Sequence, residues 1–314
     1  MADVAAAAGV SGQTVSRVVN GSPRVDPATR AAVEAAMASL GYRMHRAARA
    51  LRTGRTDTIG LLVSTLATVG NSRMLQAVAD AASVRGYALT VVTARGEDAV
   101  ADAFARLHDQ GVDGAIVLNE ATAAARAVPA PADLALVVVD SPIDARYGIV
   151  QTDHAAGARA ATAHLAALGR GRVWHLAGPE GSFAAAERER GWREAAGAVP
   201  PPPVLRGDWS AASGHVAAAA LPADARALFV ANDQMALGAL RALSERGRRV
   251  PEDVAVVGFD DVADAADYRP PLTTVRQDFD ALGAAAVDAL VARIGGDAPE
   301  ALVLTPTLVV RASA

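Results

Sequence analysis

Short apolar runs rich in β-branched residues recur along the chain after residue 57, and stretches with helical character separate them. Such continuous apolar runs are typical of strands buried on both faces, as in parallel sheets covered by helices. Roughly 250 residues suit two lobes of this kind around a cleft, so we predict an α/β fold. The clearest runs are Ile59–Val63, Tyr87–Val92, Ala115–Leu118, Leu134–Val139, Val173–Leu176, Ala227–Val230 and Val254–Val257.

Polar residues follow several of these runs. Asn119, Asp140, Asn232 and Asp260 each stand at or just beyond the end of an apolar run. In open α/β sheets, ligands bind beyond the carboxyl ends of the strands. One polar residue in such a place is equally well explained as a helix cap, but four of them predict a pocket.

The first 55 residues differ from the rest in charge. They hold eight arginines against three acidic residues, a net charge of +5, so −9 falls on the remainder of a chain whose formal net charge is −4. A basic head on an acidic body predicts that this end meets a polyanion. A solvated, arginine-rich helix face is the alternative.

Three short helices are predicted in this head, over residues 3–8, 12–19 and 27–40. Gly9 ends the first helix, Ser11 is a good N-cap for the second, and the Asp26-Pro27 pair opens the third. Two short helices joined by a glycine-containing turn form a helix-turn-helix, which presents its second helix to a DNA major groove. The buried face of the third helix is predicted to be Val33, Met37 and Leu40.

Specific strings in both parts of the chain resemble the LacI/GalR family of bacterial repressors. The head carries DVAAAAGVSGQTVSRVVNG over residues 3–21. The body carries VANDQMALG over 230–238, VGFDD over 257–261 and YRPPLTTVRQDF over 268–279. Because these strings are spread over almost the whole chain, the resemblance covers both head and body.

The resemblance implies which residues contact DNA. The second helix would read bases, and Gln pairs well with adenine and Arg with guanine in the major groove. Hydroxyl and amide side chains beside them suit phosphates, although Ser11 is also explained as a helix cap. Leu51 matches a hinge-helix residue that enters the minor groove, and packing at a domain junction is its alternative reading. The implied set is Gly12, Gln13 and Arg17 for bases, Ser11, Thr14, Ser16 and Asn20 for phosphates, and Arg49 and Leu51 in the hinge.

The resemblance also implies a sugar pocket in the body. Sugars need paired donors and acceptors together with an aromatic face. Arg188, Asn232 and Asp260 would bind hydroxyls, and Trp209 would offer an apolar face unless it belongs to the core. The implied set is Asn119, Asp140, Arg188, Trp209, Asn232, Asp260, Gln277 and Phe279.

The implied fold class is an all-α helix-turn-helix head followed by an α/β bilobed, periplasmic-binding-protein-like effector domain made of two doubly wound parallel-sheet lobes. The expected parts are a head over 1–45, a hinge helix and linker over 46–56, and an effector-binding and dimerisation domain over 57–314. Its N-lobe is expected over about 57–151 and 277–306, and its C-lobe over about 152–276 and 307–314. The chain ends at 310–314 without the leucine-heptad tail that makes some members tetramers, so we expect a homodimer.

The expected function is that of a cytoplasmic repressor of sugar-utilisation genes. A small sugar, with a galactoside as the leading candidate, would release it from a pseudo-palindromic, double-stranded DNA operator. A sugar-binding transport protein of the same bilobed fold is the alternative, disfavoured by the basic head and by the lack of a leader segment. We expect no membrane association, since no apolar run of about 18 residues occurs.

An enzyme is the third reading, and it finds little support in the residue types present. The chain has no cysteine and, since all 30 basic Lys+Arg residues are arginines, no lysine. It therefore lacks thiolate, Schiff-base and Walker-loop chemistry. No G-x-S-x-G or H-E-x-x-H motif occurs and the six histidines show no ligand spacing, so we expect no catalytic residue, cofactor or metal.

Overall fold

A computed structural model describes residues 1–19, 21–42, 54–196 and 200–314. The chain divides into two compact units, Met1–Thr56 and Asp57–Ala314. Asn20, Arg49 and Leu51, which we predicted to contact DNA, lie outside the described residues. No helix in the described ranges is both long and apolar enough to cross a bilayer.

The first unit contains the three predicted helices, α1 (Ala2–Ala7), α2 (Gly12–Val19) and α3 (Pro27–Ser39). The Ser11 hydroxyl accepts a hydrogen bond from the Thr14 amide at 3.1 Å, which makes it the N-terminal cap expected for α2. Asp26 caps α3 in the same way, through the Thr29 amide at 3.0 Å. The three helices share one small core, which is formed by Val4, Ala5, Val15, Val18, Val33 and Ala36.

The buried face of α3 differs from the predicted one. Val33 is fully buried, but Leu40 is 49% exposed and Met37 is only partly buried. Helix α3 ends at Ser39, so Leu40 falls in the terminal turn and leaves the helical stripe. Ala36 takes the core position instead, because a small side chain lets short helices approach closely.

The first lobe of the second unit is a six-stranded sheet in the order β11-β5-β4-β3-β1-β2, with parallel pairing throughout. Its central strands are almost completely buried, since helices cover both faces. Its strands are β1 (Thr58–Val63), β2 (Ala88–Thr93), β3 (Gly114–Leu118), β4 (Ala135–Val139), β5 (Gly148–Thr152) and β11 (Ala301–Leu304). Its helices are α4 (Val69–Val84), α5 (Glu97–Asp109), α6 (Ala121–Ala127) and α11 (Phe279–Ile294).

The second lobe repeats the plan with the order β12-β10-β9-β8-β6-β7, and among the strands that the structure describes there, only the β10–β12 pair is antiparallel. Its strands are β6 (Val173–Ala177), β7 (Leu205–Arg206), β8 (Ala227–Val230), β9 (Ala255–Asp260), β10 (Thr273–Arg276) and β12 (Thr307–Val309). Its helices are α7 (His154–Ala167), α8 (Phe183–Ala196), α9 (Ala211–Ala219) and α10 (Asp233–Glu245), with a 3-10 turn at Ala263–Asp267. The predicted α/β fold with two parallel-sheet lobes is therefore confirmed.

The chain passes between the two sheets after β5, after β10 and after β11. Helix α11 consequently packs under the first sheet although β10, which precedes it, belongs to the second. Five strands were not among the predicted apolar runs: β5, β7, β10, β11 and β12. They are short or contain Thr, Gln or Arg, and all but β5 and β10 lie at sheet edges, where a strand needs little apolar sequence.

Helices α9 and α10 pack unusually closely. A β-carbon added at Gly238 in α10 would clash with the carbonyl oxygen of Ala211 and lie 2.6 Å from the amide nitrogen of His215. Both atoms are backbone of α9, so no side-chain rotation could relieve the clash. The absence of a side chain at Gly238 therefore sets the distance between these helices.

We expect Gly238→Ala to destabilise the second unit. Separating the helices should cost about 1–3 kcal/mol, which outweighs the gain of up to about 1 kcal/mol for Gly to Ala in a helix. Thermal unfolding followed by circular dichroism should show a midpoint lower by about 2–4 °C for each kcal/mol lost. Gly70→Ala in α4 is the matched control, because nothing lies within 4 Å of a β-carbon there. Equal midpoints for both variants would contradict the close-packing argument.

Candidate functional site

The carboxyl ends of the two parallel sheets converge on one cleft between the lobes. Asn119 follows β3 and Asp140 follows β4 in the first lobe, while Asn232 follows β8 and Asp260 ends β9 in the second. All four line a cavity with about 490 Å³ of space, counting the part open to solvent.

The structure brings together all eight residues predicted for the sugar pocket. They come from both lobes, with Trp209 from the second and Phe279 from the first. The eight lining residues are Asn119, Asp140, Arg188, Trp209, Asn232, Asp260, Gln277 and Phe279, and Thr68, Gly70, Asn71, Met74, Glu120, Ala184 and Leu282 complete the lining.

The guanidinium of Arg188 is buried and contacts several polar groups of the cavity lining. We call Arg188 and these partners the polar wall. Its Nη2 lies 3.3 Å from Asp260 Oδ1, which also accepts a hydrogen bond from Gln277 Nε2 at 2.6 Å. Its Nη1 donates to the carbonyl oxygen of Ala231. Arg188 is only 4% exposed, so these partners replace the water that an isolated charge would need.

His154 extends the network to the other lobe. Arg188 Nε donates to His154 Nδ1 at 3.3 Å, and His154 Nε2 lies 2.9 Å from Asp140 Oδ1. Since Nδ1 accepts from Arg188, the ring proton is placed on Nε2, which lies close to the carboxylate of Asp140 but makes no hydrogen bond to it. The chain of contacts therefore joins a carboxylate of the first lobe to one of the second.

Burial shapes the charges of this wall. It raises the pKa of Asp260, and Arg188 opposes that rise by favouring the carboxylate. It likewise lowers the pKa of Arg188, an effect that Asp260 opposes. Arginine stays protonated in proteins, so Arg188 is a buried cation surrounded by hydrogen-bond acceptors.

Trp209 is held from both sides of the cleft. Its indole Nε1 donates to Glu120 Oε1 at 2.9 Å, and its carbonyl oxygen accepts from Asn232 Nδ2 at 3.1 Å. The guanidinium of Arg188 lies 5.5 Å from the indole ring. A β-carbon at Gly178 would clash with that ring, so the glycine leaves room for it. Trp209 is 8% exposed, and it is both a core residue of its lobe and part of the cavity wall.

Sequence reasoning missed three cavity residues or their partners. Asn71 accepts a hydrogen bond from Asn119 Nδ2, Glu120 binds Trp209, and His154 bridges Arg188 and Asp140. Only Glu120 gave any signal, because it follows Asn119 directly. Asn71 and His154 lie near helix starts, where polar residues are common and carry no special pattern.

The head presents two of its predicted base-reading residues on one surface of α2. Gln13 and Arg17 are exposed and four positions apart, so they project from the same side of the helix. Gly12 is exposed beside them, and nothing lies within 4 Å of a β-carbon there. The Ser11 and Thr14 hydroxyls lie 3.0 Å apart, while Ser16 is partly buried and has an interaction partner.

A third buried carboxylate, Asp233, begins α10 directly after Asn232 of the cavity lining. Its Oδ1 accepts from the Thr274 hydroxyl at 2.6 Å and its Oδ2 accepts from the Val262 amide at 2.9 Å. Burial is the main cause that raises its pKa well above the usual value, and repulsion from Asp260 adds to it. These partners fix the loop that follows β9 and hence the place of Asp260 itself.

We expect Asp233→Asn to stabilise the protein at pH 7, because the amide avoids burying a charge and can still bond both partners. A carboxyl group with a raised pKa contributes most stability below its unfolded pKa and loses it as pH rises through the folded pKa. At pH 7 we expect the variant to unfold at a midpoint about 2–4 °C higher, which corresponds to about 1 kcal/mol. This gain should therefore shrink as the pH falls toward 4. Asp224→Asn, at an exposed site, is the control. A gain that does not change with pH would contradict the raised pKa.

Comparisons with known proteins agree with the geometry of both units. Residues 1–44 match the family described as bacterial regulatory proteins, lacI family, and residues 162–314 match the periplasmic binding protein-like domain. The lactose operon repressor of Escherichia coli K12 is 39% identical, over 98% of this chain and 88% of that protein. The HTH-type transcriptional regulator CelR of Thermobifida fusca is also 39% identical, over 99% of this chain and 96% of that protein.

Solved structures give the same picture. The crystal structure of the lac repressor dimer bound to operator and the anti-inducer ONPF has a TM-score of 0.87 at 37% identity, covering 99% of this chain and 97% of that one. The transcriptional regulator CelR–cellobiose complex has a TM-score of 0.76 at 37% identity, covering 99% and 98%. With this identity over nearly its full length, the chain belongs to the lacI family of bacterial regulatory proteins.

Proposed function

We propose that this protein is a dimeric repressor of sugar-utilisation genes, released from its operator when a sugar binds in the cleft between the lobes. The observation that carries the proposal is the polar wall around Arg188, which joins carboxylates from both lobes in a chain that also has a helix-turn-helix head. The proposal assigns no catalytic step or cofactor. It places the protein in the cytoplasm, where its DNA would be.

The DNA-binding part of the proposal rests on helix α2. Gln13 and Arg17 are exposed on one side of it, and these side-chain types pair bidentately with adenine and guanine. Phosphate contacts by Ser11, Thr14, Ser16 and Asn20 would position the helix without reading sequence. Arg49 and Leu51 of the hinge segment complete the proposed DNA-binding set, and Leu51 would enter the minor groove.

Arg17→Ala should weaken binding to the operator far more than binding to random DNA. Loss of one bidentate base contact costs about 1–3 kcal/mol, or roughly fivefold to 150-fold in affinity. The operator would first be selected from random duplexes by the wild-type protein, and affinities would then be measured by fluorescence anisotropy at one salt concentration. Arg226→Ala, an exposed arginine of the second unit, is the control. If Arg17→Ala weakens both duplexes equally, Arg17 is a phosphate contact and the base-reading role is wrong.

The sugar-binding part rests on the chemistry of the cavity. Asp140 and Asp260 accept hydrogen bonds, Arg188 donates them, and Asn119 and Asn232 do both. Trp209 and Phe279 add the apolar faces that suit sugar C–H groups. Relatives named as a lactose operon repressor and as a complex with cellobiose support a sugar, and a galactoside is our leading candidate.

Sugar binding and DNA binding would be coupled through the two lobes. A ligand shifts a conformational equilibrium only by its difference in affinity between the two states. Because the cavity lining comes from both lobes, a sugar that touches both favours one lobe arrangement. Linkage then requires that a sugar which weakens operator binding is itself bound less tightly by the operator complex.

A sugar that binds the cleft should raise the unfolding midpoint and lower operator affinity. At about 100 times its dissociation constant a ligand adds about 2.7 kcal/mol, a shift of several degrees. The panel would contain galactose, glucose, ribose, lactose, cellobiose, melibiose and maltose. Asp140→Asn should weaken binding of the active sugar by about tenfold to 150-fold, since hydrogen bonds to a charged group contribute about 1.5–3 kcal/mol. Asp109→Asn, at an exposed site, is its control. If no sugar shifts the midpoint or releases the operator, the effector assignment is wrong.

We propose a homodimer because two heads must match a pseudo-palindromic operator. The similarity to a lac repressor dimer bound to operator supports this state. In the same proposal, residues 1–45 form the DNA-binding domain, 46–56 the hinge and linker, and 57–314 the effector-binding and dimerisation domain.

A further inference from the structure

The second aspartate of the VGFDD string, Asp261, directly follows Asp260 of the polar wall. Its side chain is only 6% exposed, although it does not belong to the cavity lining described above. Its Oδ2 lies 2.6 Å from Arg276 Nε, and its Oδ1 lies 2.7 Å from Arg311 Nη2. A carboxylate that is shielded from water and paired with two arginines is held in one position.

The backbone at these two aspartates has a conformation that side-chain-bearing residues rarely adopt. The φ angles of Asp260 and Asp261 are 113° and 54°, and a positive φ persists in such residues only where surrounding contacts enforce it. Asn119, Asp140 and Trp209 of the cavity lining also have positive φ. Among these residues, Asp260 lies furthest from the left-handed helical region near about 50–70°, so it most needs support from its neighbours.

Three successive residues of the loop after β9 have such support. The backbone amide of Gln277 donates to the carbonyl oxygen of Asp260 at 3.4 Å. The Val262 amide donates to Asp233 Oδ2 at 2.9 Å. The carboxylate of Asp261 supplies a third restraint between these two, and it acts on the residue next to the strained one.

Arg311 is the more firmly held of the two cations. Its side chain is 18% exposed, against 55% for that of Arg276. Its Nη1 also donates to the carbonyl oxygen of Leu272 at 2.8 Å, so a second bond fixes the guanidinium. Because Arg311 lies in the segment after β12, its contact with Asp261 ties that segment to the loop after β9.

We propose that Asp261 is a positioning residue of the sugar site: paired with Arg311, it holds the backbone of Asp260 so that the Asp260 carboxylate faces the cavity. This inference rests on the proposed sugar-binding function. Neither Asp261 nor Arg311, both in the described part of the chain, lines the cavity, so their effect on a sugar passes through Asp260. Loss of the ion pair would let the strained backbone relax and turn this carboxylate away from the sugar hydroxyls.

Two variants remove the ion pair without changing a residue of the cavity lining. Asp261→Asn removes the negative charge, and asparagine tolerates a positive φ as aspartate does. Arg311→Met removes the positive charge and keeps an aliphatic side chain. Arg249→Met is the matched control, because Arg249 of the same lobe forms an exposed ion pair with Asp253 at 3.1 Å.

The first readout is the side-chain amide of Gln277, which donates to Asp260 Oδ1 at 2.6 Å and therefore reports where that carboxylate lies. NMR spectra would be recorded without sugar on the full chain, labelled with heavy nitrogen in its glutamine side chains, and Gln277→Glu would assign the resonance. We expect Asp261→Asn and Arg311→Met to shift this resonance and Arg249→Met to leave it unchanged. An unchanged resonance in both ion-pair variants would contradict the positioning role.

The second readout is the calorimetric affinity for the sugar that the panel above selects, at a temperature where every variant is folded. We expect both ion-pair variants to bind it about tenfold more weakly, the effect of misplacing one hydrogen bond to a charged group. Arg311→Lys keeps the charge and should bind the sugar more tightly than Arg311→Met. A role in stability alone would lower the unfolding midpoint and leave both the affinity and the Gln277 resonance unchanged.

The outcomes separate this inference from the function on which it rests. If a sugar binds the wild type and both ion-pair variants equally well, the positioning role is wrong, and the proposed sugar-controlled repressor still stands. If no sugar of the panel binds the wild type, the sugar-binding proposal itself fails, and the role of Asp261 in sugar binding fails with it.

Discussion

The need to neutralise one buried cation determines much of the cleft. Arg188 lies almost without solvent contact, and an unpaired charge in such a place would cost several kcal/mol. Asp260 and the carbonyl oxygen of Ala231 supply its partners in the second lobe, and His154 relays its contact to Asp140 in the first. The polar wall therefore joins the carboxyl-end residues of the two sheets through one chain of contacts.

Several contacts between the lobes are polar, and Val69 of the first lobe also packs against the apolar core of the second. Besides the His154–Asp140 contact, the Trp209 indole bonds Glu120, and the Val69 amide donates to Gln234 at 3.2 Å. Hydrogen bonds of this kind contribute about 0.5–1.5 kcal/mol each, far less than the apolar cores within each lobe. A bound sugar could therefore shift the balance between lobe arrangements without disturbing either core.

Much of the site followed from residue type and position along the chain. Asn119, Asp140, Asn232 and Asp260 were predictable because each ends or follows a buried parallel strand, and parallel strands point their carboxyl ends to one edge. Arg188, Trp209, Gln277 and Phe279 came from family resemblance, since two lie within helices, one in a loop and one between β10 and α11. Leu40 was wrongly placed in the core, because periodicity does not show where a helix ends.

The sequence by itself determined the two-part organisation, the helix-turn-helix head with its caps at Ser11 and Asp26, and the α/β class of the body. These depend on local periodicity and on capping residues, which act over a few positions. Only the tertiary structure decided that His154 bridges Arg188 to Asp140 and that Glu120 crosses the cleft to Trp209. Those features join residues 14 to 89 positions apart, and no short-range pattern records a contact made across two separately folded lobes.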